Sequence, residues 1–162
     1  MKTLETTCVA DIMSAQVLTV SEHWSLKMLI DFFNKHQISG APVTGNGGEL
    51  KGVVSLTDLL RFDGQSDHSI DENPMTHYYY GGLEGVTAEQ LGLVGGDLHA
   101  QHLTCEIMTP HLITVDAGAS LQETANLMCN HRIHRIFVTR DDIPVGVVST
   151  LDILTHLAQP EG

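Results

Sequence analysis

One seven-residue pattern, with glycine, serine and aspartate at fixed places, occurs twice in this chain of 162 residues. The copies are GVVSLTD at 52–58 and GVVSTLD at 146–152. Serine three positions before aspartate is typical of a capping box, which exchanges hydrogen bonds across the first turn of a helix. The same groups suit a nucleoside phosphate, because a helix start attracts phosphate and a carboxylate accepts hydrogen bonds from ribose hydroxyls. The glycine indicates that something approaches the backbone closely.

The pattern is the end of a longer internal repeat. DIM at 11–13 falls on EIM at 106–108, and HQISGAPVT at 36–44 falls on HRIHRIFVT at 131–139. The offset is 95 residues and becomes 94 after a one-residue gap in a turn. A match of this length indicates internal duplication. We predict repeats at 8–62 and 102–158, joined by an acidic, glycine-containing connector at 63–101, with both repeats in one compact module.

Hydrophobic periodicity predicts the order β-α-β-β-α in each repeat. The first repeat is expected to have strands at 17–20, 41–44 and 50–55 and helices at 25–36 and 56–62. The second is expected to have strands at 112–115, 136–139 and 145–149 and helices at 120–131 and 150–157. One repeat buries little apolar surface alone. We therefore predict an α+β fold in which the two repeats pack sheet to sheet with pseudo-twofold symmetry.

Composition argues against several functional classes. The net charge is −12, and no lysine or arginine lies between Arg61 and Arg132, so the basic stripe of a nucleic-acid-binding surface is missing. No apolar run approaches the roughly 20 residues of a membrane span, and no export signal is visible. Three cysteines are too few for a disulfide framework. We predict a cytoplasmic protein that binds neither nucleic acid nor membrane.

Other residue clusters favour neither a metal site nor catalysis. Arg132, Arg135 and Arg140 fall within nine positions and either bind an anion or form a solvated face. The pairs HAQH at 99–102 and HRIH at 131–134 offer two imidazoles each, fewer than the ligands that a zinc site needs. No nucleophile or P-loop motif is present. We predict no metal site and no enzymatic activity.

Three features together resemble a known family. They are the pattern G-h-h-S-x-x-D, where h is hydrophobic and x is any residue, the strand SGAPV before its first copy, and the opening IM…LTV. They resemble the CBS domain, named after cystathionine β-synthase, and the resemblance covers both repeats. Such domains occur in tandem pairs called Bateman modules. The resemblance implies clefts that hold AMP, ADP, ATP or S-adenosylmethionine, and a regulatory role.

The resemblance also implies roles for the polar residues of the pattern. Asp58 and Asp152 would accept hydrogen bonds from ribose hydroxyls. Ser55 and Ser149 would lie beside the ribose or phosphate, and Thr57 would add a hydroxyl in the first copy.

Phosphate binding is implied for the second copy. Its stretch HRIHRIFV is similar to one in the gamma subunit of AMP-activated protein kinase, where His and Arg reach ligand phosphates. The matching residues are His134 and Arg135, with Arg132 as a secondary candidate, whereas the first copy has Ser39 and Gly40 there. The adenine would be enclosed by Val17, Thr19, Ala41, Pro42, Val43, Leu112, Thr114, Ile136 and Val138.

We therefore predict a regulatory module that binds an adenine nucleotide or S-adenosylmethionine, with or without Mg²⁺. It is expected to form a homodimer and to transmit ligand status to a separate protein partner. The alternative is a ligand-free dimerisation or docking module. Thermal stability discriminates between the two, because a ligand that binds the native state stabilises it.

Overall fold

The computed structural model describes residues 3–64, 87–93, 95–110 and 112–159. The chain divides into two compact units. The central unit is Leu18–Leu112, and the terminal unit combines Met1–Val17 with Ile113–Gly162.

The central unit has a three-stranded sheet of β1 (Val20–Ser21), β2 (Gly40–Thr44) and β3 (Leu50–Ser55). β1 is parallel to β2, and β2 is antiparallel to β3. The helices are α1 (Leu26–His36), α2 (Leu56–Phe62), α3 (Asp97–Gln101) and α4 (Thr104–Ile107). The apolar face of α1 lies in the core of this unit, and Ala88 and Leu93 from the connector pack into the same core.

The terminal unit has the same topology. A 3-10 helix (Val9–Asp11) precedes a sheet of β4 (Thr114–Asp116), β5 (Arg135–Arg140) and β6 (Ile143–Ser149), with helices α5 (Leu121–His131) and α6 (Thr150–Ala158). β4 is parallel to β5, and β5 is antiparallel to β6. Ser120 caps α5, its hydroxyl accepting from the Glu123 N–H at 3.1 Å. The predicted mixed α and β class, with a three-stranded sheet and helices in each repeat, is confirmed.

The observed elements follow the predicted order, and the first strand of each repeat begins later than predicted. The predicted strands at 17–20 and 112–115 are β1 and β4, which begin at Val20 and Thr114. In the first repeat the parallel ladder contains two pairs, Val20 with Val43 and Ser21 with Thr44. The apolar run before β1 is therefore outside the ladder, although it looks like a strand in the sequence.

Each unit joins the body of one repeat to the segment that precedes the other repeat. We call residues 3–17 and 102–110 the leading segments. Ser14 N–H donates to Val147 O at 2.9 Å, and Val147 N–H donates back to Ser14 O at 3.0 Å. In the central unit, Val53 and Thr109 form the equivalent pair at 2.9 and 2.8 Å.

The glycine of the repeated pattern makes room for these leading segments. A Cβ on Gly52 would overlap the backbone oxygen of Thr109. A Cβ on Gly146 would overlap the Met13 side chain and lie 3.1 Å from Ser14 O. The close approach predicted at these glycines therefore comes from the chain itself.

Replacing the two glycines tests this packing. We expect Gly52→Ala to lower the free energy of unfolding by about 2 kcal/mol or more, because it displaces backbone. Gly146→Ala should cost about 1 kcal/mol, because the Met13 side chain is flexible and can move. Urea denaturation of both variants measures the difference, and equal costs would contradict this account.

The turn between β5 and β6 is a two-residue hairpin loop of Asp141 and Asp142. Their φ angles are 51° and 65°, and Arg140 pairs with Ile143 across the turn. Positive φ at both central residues is the requirement of a type I′ turn, in which glycine is favoured.

The turn therefore contains avoidable strain. We expect Asp142→Gly to raise the free energy of unfolding by about 0.5–1 kcal/mol, since a side chain at positive φ is unfavourable. Asp142→Ala is the matched control, because it removes the same carboxylate and keeps the Cβ. A gain with Ala as large as that with Gly would assign the effect to charge instead of φ.

Candidate functional site

The aspartate of the second pattern caps α6. Ser149 N–H donates to Asp152 Oδ2 at 2.8 Å, and Asp152 N–H donates to Ser149 Oγ at 3.1 Å. The capping-box interpretation is therefore confirmed at this position. Asp152 Oδ1 has no hydrogen-bond partner among the described residues. One oxygen of the carboxylate is thus used by the helix, and the other is available for a ligand.

A cavity of about 400 Å³ adjoins Asp152 within the terminal unit. Its walls come from the first leading segment and from α6 with the residue after it. The lining residues are Thr7, Asp11, Ile12, Asp152, Thr155, His156 and Gln159. Ligand sites commonly have about 300–1,000 Å³, so the volume suits a small molecule.

Thr7 is a lining residue of this cavity, and its hydroxyl is buried from solvent. The residue is 2% exposed. Its backbone is fully engaged, because Thr7 N–H donates to Thr3 O at 3.1 Å and Leu121 N–H donates to Thr7 O at 2.9 Å. Thr7 Oγ1, in contrast, is buried with no hydrogen-bond partner in the described part of the chain. Buried polar groups are nearly always paired in native structures, so this hydroxyl calls for an explanation.

Asp11 adds a second carboxylate. It lies in the 3-10 helix, is exposed, and lines the cavity. No side-chain hydrogen bond or ion pair to Asp11 is present within the described ranges. The lining therefore contains two carboxylate groups with unused hydrogen-bonding capacity, while the Thr7 hydroxyl is buried from solvent.

The central unit contains the equivalent positions, but there they bind one another. The equivalents of Thr7 and Asp11 are His102 and Glu106, and His102 Nδ1 lies 3.2 Å from Glu106 Oε1. Leu103 N–H also donates to the Glu106 carboxylate. The hydrogen bond from Leu103 N–H lowers the pKa of the Glu106 carboxyl below its ordinary value, and the contact with His102 lowers it further.

In the central unit the aspartate at the start of α2 also has partners within the chain. Asp58 Oδ2 accepts from Ser55 N–H at 2.8 Å and lies 3.3 Å from Ser55 Oγ. Asp58 Oδ1 is 4.0 Å from the Arg61 guanidinium, and Arg61 is the equivalent of Thr155. Phe62, the equivalent of His156, packs its ring edge against His102 with centroids 5.0 Å apart.

The structure places the other predicted residues of the first repeat as follows. Three residues of β2 are buried, as are three at the junction of β3 and α2: Ala41, Pro42, Val43, Ser55, Thr57 and Asp58. Thr19 is partly exposed in the central unit, and Val17 is partly exposed in the terminal unit.

The predicted site residues of the second repeat range from buried to exposed. Ile136 and Val138 are fully buried in β5. Thr114 and Ser149 are partly exposed in the terminal unit, and Leu112 is partly exposed at the end of the central unit. The cationic candidates Arg132, His134 and Arg135 are exposed. Of the predicted site residues, Asp152 is in the described lining of the cavity, and the ligand roles of all of them stay predictions.

Six lining residues were not predicted. Thr155, His156 and Gln159 lie three, four and seven positions after Asp152, which is the spacing of one helix face. That signal was present in the sequence. Thr7, Asp11 and Ile12 come from the leading segment of the first repeat. The match between the repeats does not indicate that this segment packs against the body of the second repeat.

Metal-ligand clusters and membrane-spanning helices are both absent from the residues that the structure describes. No cluster of three or more His, Cys, Asp or Glu side chains there could hold a metal ion. Among the helices of that part of the chain, none combines the length and apolarity of a membrane span.

Similar proteins match nearly the whole chain. Hypoxic response protein 1 of Mycobacterium tuberculosis is 28% identical over 153 residues, which cover 94% of this chain and 87% of that protein. The CBS domain of a CBS-domain-containing membrane protein from Sphaerobacter thermophilus has a TM-score of 0.66 and 28% identity, covering 94% and 88%.

More distant structures share the fold and were solved with ligands. CBSX2 was solved with AMP (TM-score 0.61, 19% identity, covering 93% of this chain and 95% of that one). MJ0100 was solved with 5-methylthioadenosine and S-adenosyl-L-methionine (TM-score 0.60, 21% identity, covering 93% and 95%). The cytosolic domain of the Mg²⁺ channel MgtE was solved with ATP (TM-score 0.63, 20% identity, covering 92% and 48%).

The repeats themselves match a family model. The model of the CBS domain matches residues 9–64 and again residues 104–159, which together are more than half of the chain. These ranges contain both copies of the glycine, serine and aspartate pattern, and each carries one β-α-β-β-α body. The chain therefore belongs to the CBS-domain family, as a tandem pair.

Proposed function

We propose that this CBS pair is a regulatory module that binds one adenosyl ligand per chain, at the cavity beside Asp152. The observation that carries the proposal is the cavity beside Asp152, whose Oδ1 atom no described residue binds. A ribose offers hydroxyl groups that can donate to such a carboxylate oxygen. An adenosyl ligand would therefore satisfy groups that the chain leaves unpaired.

The comparison of the two repeats supports a single site. At the positions that line the cavity in the terminal unit, the central unit has the pairs His102–Glu106 and Asp58–Arg61. A ligand at Asp58 would have to compete with Arg61 for the carboxylate. Asp152 has Thr155 where Asp58 has Arg61, and it requires no such exchange.

Similar folds support the ligand class. AMP, ATP, 5-methylthioadenosine and S-adenosyl-L-methionine share an adenosyl group, and each is bound by one of the CBS-pair structures described above. In this chain Ser149 would lie beside the ribose, and Asp152 would accept from its hydroxyls. Ligand binding would then be transmitted to a separate protein through the shape or assembly of the module, because a ligand shifts the equilibrium toward the state that it binds.

A thermal-shift panel tests the proposal against the alternative of a docking module. The compounds are adenosine, AMP, ADP, ATP, S-adenosylmethionine and 5-methylthioadenosine, each with and without Mg²⁺. A bound ligand at about 100 times its Kd stabilises the native state by about 2.7 kcal/mol, which raises Tm. A docking module with empty clefts would show the same Tm with every compound.

Asp152→Asn tests the site itself. We expect ligand affinity to fall about tenfold or more by titration calorimetry, since a hydrogen bond to a charged group contributes about 1.5–3 kcal/mol. Asparagine keeps an oxygen that can accept from Ser149 N–H, so the helix cap is retained. Asp58→Asn is the matched control, which should leave affinity and the stoichiometry of one unchanged. Loss of binding in the control alone would move the site to the first repeat.

Thr7→Val separates binding from folding. We expect the ligand-free protein to gain about 1 kcal/mol of stability, because the substitution removes a buried unpaired hydroxyl. Ligand affinity should stay the same, because that hydroxyl is buried from solvent. Thr124→Val is the control: Thr124 is also fully buried, but its hydroxyl donates to Ser120 O at 2.9 Å. It should lose stability and keep ligand affinity. A Thr7→Val protein with lower stability or changed affinity would contradict the assignment.

A further inference from the structure

The charge of the Asp152 cavity has a direct consequence for ligand choice. Two of its lining side chains, Asp11 and Asp152, are carboxylates. No lysine or arginine is among the described residues that line it, and His156 is the one basic side chain there. The surroundings of a bound ligand are therefore net negative when His156 is neutral.

The start of α6 does not offset this charge. A helix N-terminus attracts phosphate through its free N–H groups. Here Asp152 and Ser149 already use this end of α6: Asp152 N–H donates to Ser149 Oγ, and the Asp152 carboxylate accepts from Ser149 N–H. Thr150 N–H also donates to His134 O at 2.9 Å, so two of the first-turn N–H groups of α6 are already used by the chain.

The arginines of the second repeat are not part of the cavity either. Arg132 and Arg135 are exposed, and neither is among the lining residues within the described part of the chain. A phosphate in the cavity would lie near two carboxylates without a guanidinium among the described lining residues. Like charges repel, so these carboxylates disfavour a phosphate.

We propose that the cavity selects neutral or cationic adenosyl compounds, above all an S-adenosyl sulfonium, over adenosine phosphates, and that Asp11 is the specificity-determining residue. This inference rests on the proposed function. Asp152 is needed for the helix cap and for the ribose. Asp11 has no hydrogen-bond or ion-pair partner within the described ranges, so its charge is free to act on the ligand.

Two pairs of compounds isolate the effect of ligand charge. S-adenosylmethionine and S-adenosylhomocysteine differ by one methyl group and one positive charge. AMP and adenosine differ by one phosphate. Titration calorimetry of the full chain at low salt should give tighter binding of S-adenosylmethionine than of S-adenosylhomocysteine, and weaker binding of AMP than of adenosine. Added salt should reduce both differences, because the lining is partly open to solvent.

Asp11→Asn then tests the residue. We expect S-adenosylmethionine affinity to fall about tenfold, equivalent to about 1.4 kcal/mol, while S-adenosylhomocysteine affinity changes little and AMP affinity rises. Asp142→Asn removes one negative charge from the exposed β5–β6 turn, which is not part of the described cavity lining. This control should leave all four affinities unchanged, which separates a local effect from net charge.

The outcomes distinguish this inference from the proposed function. Binding of AMP or ATP more tightly than S-adenosylmethionine, lost in Asp152→Asn, would overturn the charge selectivity and leave the adenosyl site in place. An equal effect of Asp11→Asn on S-adenosylmethionine and S-adenosylhomocysteine would overturn the role of Asp11. Absence of binding by any adenosyl compound would overturn both proposals.

Discussion

The close approach of two backbones determines how this chain is put together. A carbonyl oxygen of the second leading segment passes the Cα of Gly52 at a distance that no side chain allows, and this segment pairs with Val53. The first leading segment pairs with Val147 beside Gly146 in the same manner. Because each leading segment also brings polar side chains to the last helix of the other repeat, the glycines determine which residues can form a site.

The polar residues at these equivalent positions differ between the two units. In the central unit His102 is hydrogen-bonded to Glu106, and the ring of Phe62 lies against His102. In the terminal unit the equivalent groups are a threonine and two aspartates around a cavity. Asp11 is exposed and Asp152 is half-buried, so water can satisfy both carboxylates, and Thr7 is the lining residue whose buried hydroxyl has no partner among the described residues.

The sequence was sufficient for the element order and for much of the boundary detail. The S-x-x-D spacing placed the starts of α2 and α6, and helical periodicity placed α1 and α5. The repeated pattern singled out Asp152, which lines the cavity, and helical spacing from Asp152 could have added Thr155 and His156. Thr7 and Asp11 could not be found, because the repeat alignment assigns the leading segment to its own body. The pairing of Ser14 with Val147 is a contact between distant segments, and no local pattern encodes it.

The exchanged leading segments have an implication for the ancestry of the protein. A single repeat, before duplication, would have had to lend its leading segment to a second copy of itself, as in a domain-swapped dimer. Such a dimer has two identical sites, and any change in one is a change in both. In a fused pair, the two copies of a position can change independently. Here Asp58 has Arg61 beside it, whereas the cavity next to Asp152 is lined by Thr155 at the equivalent position, so the two copies already differ.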